Sequence, residues 1–425
     1  MTERQTRYRG ARPTKTLIFS AVMLLCCTSG TLAPAQTTST TARILERPIV
    51  VERGEKVTTV PLTPHMGKLS IEAVVDGRER RFLFDTGSPS MISRDLANEL
   101  ELEILGTNTG RDANGRELTT DIALVDRLEI GTATFRSVPV LIADFSVSDP
   151  NGCFFEGGVI GSEIFPGNVV HIDPESRTLR IAANVGDLGA PVPAAPAVSA
   201  RLHAFGYPHP PVFDYAVGGF EDRGLFDTGH SGTVVLFERV AQDPRVWRAM
   251  VPGTVRRGRG SHGVSAAGLG PETDLLRFEI EGLRLGETRL ERRRGTIRGA
   301  PPSLIGLGIL RTHAVTLDYS EARLLLHPRS SPEPAPTPPG YGLMASAEGV
   351  KVVQLFTDSA AQRAGLRLGD QVVKIGDREL PLADATCATN RWLIEASPTQ
   401  SAGRITVLRK GKRRTIDLAG SPVKP

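Results

Sequence analysis

Cysteine is scarce. Of the four in this chain of 425 residues, Cys26 and Cys27 sit in an apolar stretch near the N-terminus. The other two, Cys153 and Cys387, lie in different regions of the sequence, so a disulfide scaffold is excluded. Two buried thiols are expected rather than a bridge. With eight scattered histidines no zinc-like ligand spacing forms, and neither a metal nor a cofactor is expected. Aromatic residues are thin at 5%, with two Trp, but hydrophobic residues at 40% still supply packed cores. Net charge is missing too. The formal +4 comes from residues 1–35, where five basic residues face the single Glu3, and the rest of the chain carries 46 of each sign. Non-specific nucleic-acid binding is therefore not expected. The short basic stretches at 256–259 (RRGR) and 292–294 (RRR) lack interleaved aromatics and read as solvated faces.

Glycine and proline, by contrast, are plentiful at 44 and 31. They lack a collagen-like triplet period, and they rule against a long helical bundle. The N-terminus has a basic flank, an apolar core of about 11 residues (LIFSAVMLLCC, from Leu17) and Ala33-Pro34-Ala35 before Gln36. This is the order of a secretory signal cleaved after Ala35, and it is short of the roughly 20 residues that cross a bilayer. The sequence thus predicts a periplasmic or secreted protein, with membrane association only if the signal stays uncleaved.

The mature chain reads as short strands with turns. Residues 69–75 alternate apolar and polar, turn at Asp76-Gly77 and return through 81–84 as a hairpin. The expected organisation is a flexible lead-in (36–61), a β lobe (62–183), an Ala/Pro linker (184–200), a second β lobe (201–328), a Pro-rich linker (329–339) and a C-terminal module (340–425). Few packing contacts are expected across the Pro-rich linker, whose composition suits a spacer.

An internal repeat organises the two lobes. Phe82-Leu83-Phe84-Asp85-Thr86-Gly87-Ser88, Gly158-Val159-Ile160-Gly161 and His171-Ile172-Asp173 recur as Gly224-Leu225-Phe226-Asp227-Thr228-Gly229-His230, Ser303-Leu304-Ile305-Gly306 and Thr316-Leu317-Asp318. Asp85 to Gly161 is 76 residues and Asp227 to Gly306 is 79. One Asp-Thr-Gly is an ordinary turn sequence, but two copies with matching landmarks point to homologous lobes. A pseudo-twofold axis would then bring one carboxylate from each lobe together. Close carboxylates share a proton and titrate as a unit. The ionised member takes a proton from water while the protonated member polarises a carbonyl. The glycines permit close approach, and Thr86 and Thr228 can tie the turns together.

These motifs, FLFDTGS with GGVIGSEIF and GLFDTGH with PSLIGLGIL, resemble tandem retroviral-type (retropepsin-like) aspartic protease domains of bacterial gag-type families. The resemblance covers roughly residues 65–183 and 201–328. It implies a mainly β fold of two acid-protease lobes, with Asp85 and Asp227 catalytic and Thr86 and Thr228 interlocking. Gly87, Ser88, Gly229 and Ser231 would complete the loops, and the segments ending at Gly161 and Gly306 would pack behind them. His230 departs from the family, which has a small or hydroxyl residue there. A cationic imidazole at this position would favour ionised Asp227; the alternative is that the ring points away, with Ser231 helping instead. The Gly-rich residues 106–115 and 258–268 are the expected covers of the cleft.

After the second linker, SAAQRAGLRLGDQVVKIG resembles a circularly permuted PDZ domain over about residues 340–420. On that resemblance Tyr341, Gly342, Leu343 and Met344 would hold a peptide C-terminus. The implied activity is that of an aspartic endopeptidase acting on peptide or protein substrates. A noncatalytic peptide-binding envelope protein that keeps the protease fold is one alternative. A protease whose sites form between chains is another.

Overall fold

Asp76 (φ 45°) and Gly77 (φ 85°) are consecutive left-handed residues, which is the backbone a two-residue hairpin needs. They join Lys68–Val75 to Arg78–Phe84 in antiparallel register, with Ser70 opposite Leu83. The same unit recurs where Gly218 (φ 59°) and Gly219 (φ 82°) join Val212–Val217 to Phe220–Asp227. The computed structural model describes residues 40–146, 148–149, 152–189, 198–383, 386–396 and 403–418. The signal segment (1–35) and residues 190–197 of the Ala/Pro linker lie outside the described residues.

The chain is mainly β. Each Asp-Thr-Gly strand runs parallel to its apolar-apolar-Gly strand: Leu83 opposite Val159, and Leu225 opposite Leu304. The latter strands pair antiparallel with Met91–Ser93 and Val234–Phe237. These in turn run parallel to Ala133–Ala143 and Arg293–Arg298. The repeat in the sequence is thus a repeat of strand connections in space.

The third pair of landmarks joins the copies directly. Val169–Asp173 pairs with His313–Asp318, His171 opposite Thr316, at the middle of a six-stranded antiparallel array. Thr178–Ala182 and Val57–Pro61 continue it on one side, and Arg323–Pro328 and Val198–His203 on the other. The Thr316 hydroxyl sits between the rings of His171 (2.8 Å) and His327 (3.1 Å), and burial and His327 push His171 down to about 4. Its burial as a neutral ring is satisfied by the hydroxyl. One hydrophobic core runs through both copies, including Phe82, Phe84, Phe135 and Phe165 of the first and Phe213, Phe226 and Phe278 of the second. A separate core of Tyr341, Val350, Val352, Leu366, Val372, Ile405 and Val407 builds the C-terminal segment.

Three expectations are corrected here. The lead-in is structured from Thr40: it forms a helix, Thr40–Leu45, and two strands, of which Val57–Pro61 is an outer strand of the shared array. The Pro-rich linker is laid onto the preceding segment. Glu175 accepts from Ser330 (2.7 Å) and Ser331 (3.0 Å), Glu333 N–H donates to Arg311 O (2.8 Å), and Arg294 donates to Ala335 O (3.1 Å). Proline carbonyls accept such bonds although proline donates none. Finally, Cys153 and Cys387 form a disulfide with Cα atoms 5.3 Å apart, because folding closes a sequence gap that spacing alone made improbable. On the surface Arg259 pairs with Glu272 and Asp274, and Arg292 with Glu279 and Glu281, while Arg256 and Arg257 have no carboxylate partner among the described residues.

Glu163, two residues past Gly161, is 2% exposed and accepts from Ser90 N–H at 2.9 Å. Burial pushes its carboxyl up from 4.5 to about 7. The folded chain holds this proton more tightly than the unfolded chain does. The contribution is therefore full below about pH 4.5 and is lost as pH rises through 7, at a cost of roughly 3 kcal/mol. Glu163→Gln removes the titration, so thermal melts from pH 4 to 8 should show the variant gaining stability over wild type as pH rises. A constant difference across that range would exclude a buried, proton-holding Glu163.

Candidate active site

The two Asp-Thr-Gly turns meet within one chain. Thr86 N–H donates to Thr228 Oγ1 (2.9 Å), and Thr228 N–H donates to Thr86 Oγ1 (3.1 Å). Each hydroxyl then donates across the interface to the carbonyl just before the opposite aspartate. Thr86 Oγ1 reaches Phe226 O (2.8 Å) and Thr228 Oγ1 reaches Phe84 O (2.7 Å). Both threonines are at most 1% exposed. Four buried hydrogen bonds in a closed set are worth roughly 0.5–1.5 kcal/mol each, and breaking one strands its partner at greater cost.

This set presses each carboxylate onto the other turn. A Cβ added at Gly229 would stand 2.2 Å from Asp85 Oδ2, and one at Gly87 would stand 2.7 Å from Asp227 Oδ1. Any side chain larger than hydrogen would therefore push the carboxylates away. Asp85 Oδ1 accepts from Gly87 N–H (2.9 Å), while Asp227 Oδ1 is buried with no partner among the described residues. Burial, the Asp227 charge and a hydrogen bond between the two carboxyl groups hold the Asp85 proton well above the usual carboxylate range, opposed by Gly87 N–H and Lys68. Two like charges this close cannot both ionise freely.

The supporting residues divide by copy. Gly161 N–H donates to Ser90 Oγ (2.9 Å), and Gly306 N–H to Thr233 O (3.0 Å), so both segments back the turns. Ser162 Oγ holds Thr86 O (2.6 Å). The Ser88 hydroxyl turns to Pro89 O (2.8 Å). His230 does not supply a cation: burial and the nearby charges of Lys68 and Arg298 push it down to about 3, and its carbonyl accepts from Leu307 N–H (2.7 Å). Nor does Ser231 replace Ser88, since its hydroxyl donates to Gly67 O (3.0 Å). The two Gly-rich covers meet each other. Asn114 donates to Ser265 Oγ (2.8 Å), Arg116 to Ala267 O (3.0 Å), and Ala267 N–H to Asp112 (3.2 Å).

Tyr341, Gly342, Leu343 and Met344 lie away from these turns, in the strand Tyr341–Ser346, which pairs with Gly349–Phe356 and is irregular between Gly342 and Leu343. Tyr341 is 3% exposed and belongs to the local core. The helix Cys387–Glu395 packs against this strand.

Sequence reasoning missed Lys68 and Arg298. Lys68 Nζ donates to Gly229 O, and its charge acts on both aspartates while burial lowers its own proton affinity. Its one signal was a charged residue opening an otherwise alternating strand. Arg298 donates to Ala113 O (3.0 Å) at the tip of the first cover, and its charge reaches Asp227. Aligning the repeats would have exposed it, because Arg298 pairs with Phe237 as Ala143 pairs with Ser93.

Residues 71–164 match the family model described as Aspartyl protease. The matched window holds Asp85, Thr86, Gly87, Ser88 and Gly161 of the first copy. Among solved structures the chain is similar to the aspartic proteinase from Irpex lacteus at 11% identity, with 64% of this chain and 98% of that chain covered and a TM-score of 0.41. No curated protein matches the chain.

Lys68 opposes proton retention at Asp85, so removing it should strengthen that retention. In a titration of ¹³Cγ-labelled aspartates, with Asp85→Asn as the assignment control, Lys68→Met should raise the Asp85 midpoint by about one unit. An unchanged midpoint would show that Lys68 does not act on the pair.

Proposed function

We propose that this protein is an aspartic endopeptidase built from two retropepsin-like lobes about a pseudo-twofold axis, with a C-terminal PDZ-like module. The observation that carries the reading is the reciprocal threonine set, which holds one aspartate from each copy against the other's turn. In this mechanism Asp85 carries the resting proton and Asp227 is the ionised partner. Asp227 takes a proton from water as the water oxygen attacks the substrate carbonyl carbon, and the Asp85 proton passes to the carbonyl oxygen. Collapse of the tetrahedral adduct breaks the C–N bond as Asp227 passes the proton it took from water to the leaving nitrogen, and the adduct hydroxyl returns its proton to Asp85 as the carbonyl re-forms. Substrates are peptides or proteins held between the turns and the two touching covers, which open to admit them.

The PDZ-like module is proposed to take a peptide C-terminus near Tyr341, Gly342, Leu343 and Met344. Export to the periplasm or outside the cell is supported by the leader and by the disulfide Cys153–Cys387, a bond that persists in oxidising compartments.

Asp85→Asn and Asp227→Asn should each lower kcat at least 1,000-fold on a mixed peptide pool while circular dichroism stays unchanged, since either loss ends the shared-proton partnership. Because the Asp85 proton is held above the ordinary range, the alkaline limb of the wild-type pH–rate profile should fall nearer neutrality than a free carboxyl would place it. A folded Asp variant with wild-type cleavage would end this reading.

A further inference from the structure

Arg298 is a half-buried guanidinium with no carboxylate at ion-pair distance among the described residues. Its protein partner is the single carbonyl of Ala113, at 3.0 Å. A charge withdrawn from water in this way is costly unless an anion meets it. It lines a cavity of about 750 Å³ together with Trp247, Arg257, Arg259, His262 and Asn114. Asn114 and Ala113 belong to the tip of the first cover, and the Arg298 charge acts on Asp227. The cavity therefore lies at the two covers, lined by Ala113 and Asn114 of the first and His262 of the second, with Arg298 within electrostatic reach of Asp227.

The balance of charge along its wall is positive. The lining holds Arg257, Arg259 and Arg298 against Glu238 and Asp274, and Asp274, which pairs with Arg259 at 3.0 Å, is exposed to solvent. Glu238, the other carboxylate there, is exposed to solvent. Arg257 has no carboxylate partner among the described residues and stands over the Trp247 ring at 5.5 Å. Thr273 Oγ1, on the same wall, is buried with no partner among the described residues. The first copy offers no such chemistry, since Ala143 occupies the position that Arg298 holds in the second.

We infer that this cavity is a subsite for an acidic side chain of the substrate, with Arg298 receiving the carboxylate and Arg257 and Trp247 forming the outer wall. The inference rests on the endopeptidase reading for what delivers the side chain, but the pairing itself is independent of cleavage. Charge-assisted hydrogen bonds to a guanidinium discriminate Glu from Gln by roughly 10- to 100-fold.

Two arms test it. In the first, wild type, Arg298→Gln and Arg257→Gln digest one peptide library, and residue frequencies are counted around each scissile bond. Acidic residues should be enriched at one fixed position on one side in wild type, and that enrichment should collapse in Arg298→Gln and weaken in Arg257→Gln. Arg257 is exposed, so its variant reports even if Arg298→Gln fails to fold. Cleavage without acidic enrichment, or enrichment that both variants retain, would overturn the subsite while leaving the endopeptidase intact. In the second arm, Asp85→Asn binds a capped, amidated alanine heptapeptide with central Glu or central Gln, read by tryptophan fluorescence. The amide cap removes any C-terminal carboxylate that the PDZ-like module could capture. The Glu peptide should bind at least 10-fold more tightly, and Arg298→Gln should abolish the difference. If wild type cleaves nothing, the endopeptidase reading fails and this arm alone decides the subsite: equal binding of the two peptides would sink it.

Discussion

Two threonine hydroxyls hold the centre of this protein together. Each accepts from the opposite turn's backbone N–H and donates to the opposite strand's carbonyl, so neither turn is satisfied without the other. The shared strand array supplies the same dependence on a larger scale, with His171 opposite Thr316 where the copies join. Because both are buried, their bonds are not diluted by competing water. The price of this closeness is two carboxylates at contact, and the raised proton affinity of Asp85 follows from it.

The symmetry of the strands is not a symmetry of the chemistry. Ser88 in one turn is matched by His230 in the other, and Ala143 by Arg298. Lys68 opens the first hairpin, where Pro210 precedes the second by the same register. The three differences place cations or a neutral ring around a pair of acids that the backbone alone would treat alike. Lys68 weakens proton retention at Asp85, and Arg298 acts on Asp227. A repeated strand scaffold thus gives its two aspartates unequal surroundings.

The C-terminal segment is attached more firmly than a spacer would allow. Its strand Gly349–Phe356 pairs with Arg256–Ser261, the strand leading into the second cover, with Gly260 opposite Gln354. Gln354 donates to Ser261 O (2.7 Å), and Arg277 lies 3.9 Å over the Phe356 ring. On another face the disulfide fixes the helix Cys387–Glu395 to Cys153, and Ile394 of that helix stands by Gly67, next to Lys68. The segment therefore touches the base of one cover and the turn beside the aspartates.

Local sequence determined the strand-rich character, the Asp76-Gly77 hairpin and the two Asp-Thr-Gly turns with their backing segments, because strand alternation, left-handed turn residues and an ordered repeat are written in near neighbours. It also determined that Thr86 and Thr228 were the residues able to join the turns. Tertiary structure alone decided the neutral state of His230, since desolvation depends on what the fold lays over the ring. It decided that Cys153 meets Cys387, that a proline-rich stretch lies bound on a surface, and that Lys68 and Arg298 come to flank the aspartates. Each of these depends on distances between residues far apart in the chain, and no local pattern encodes the electrostatic surroundings that such distances create.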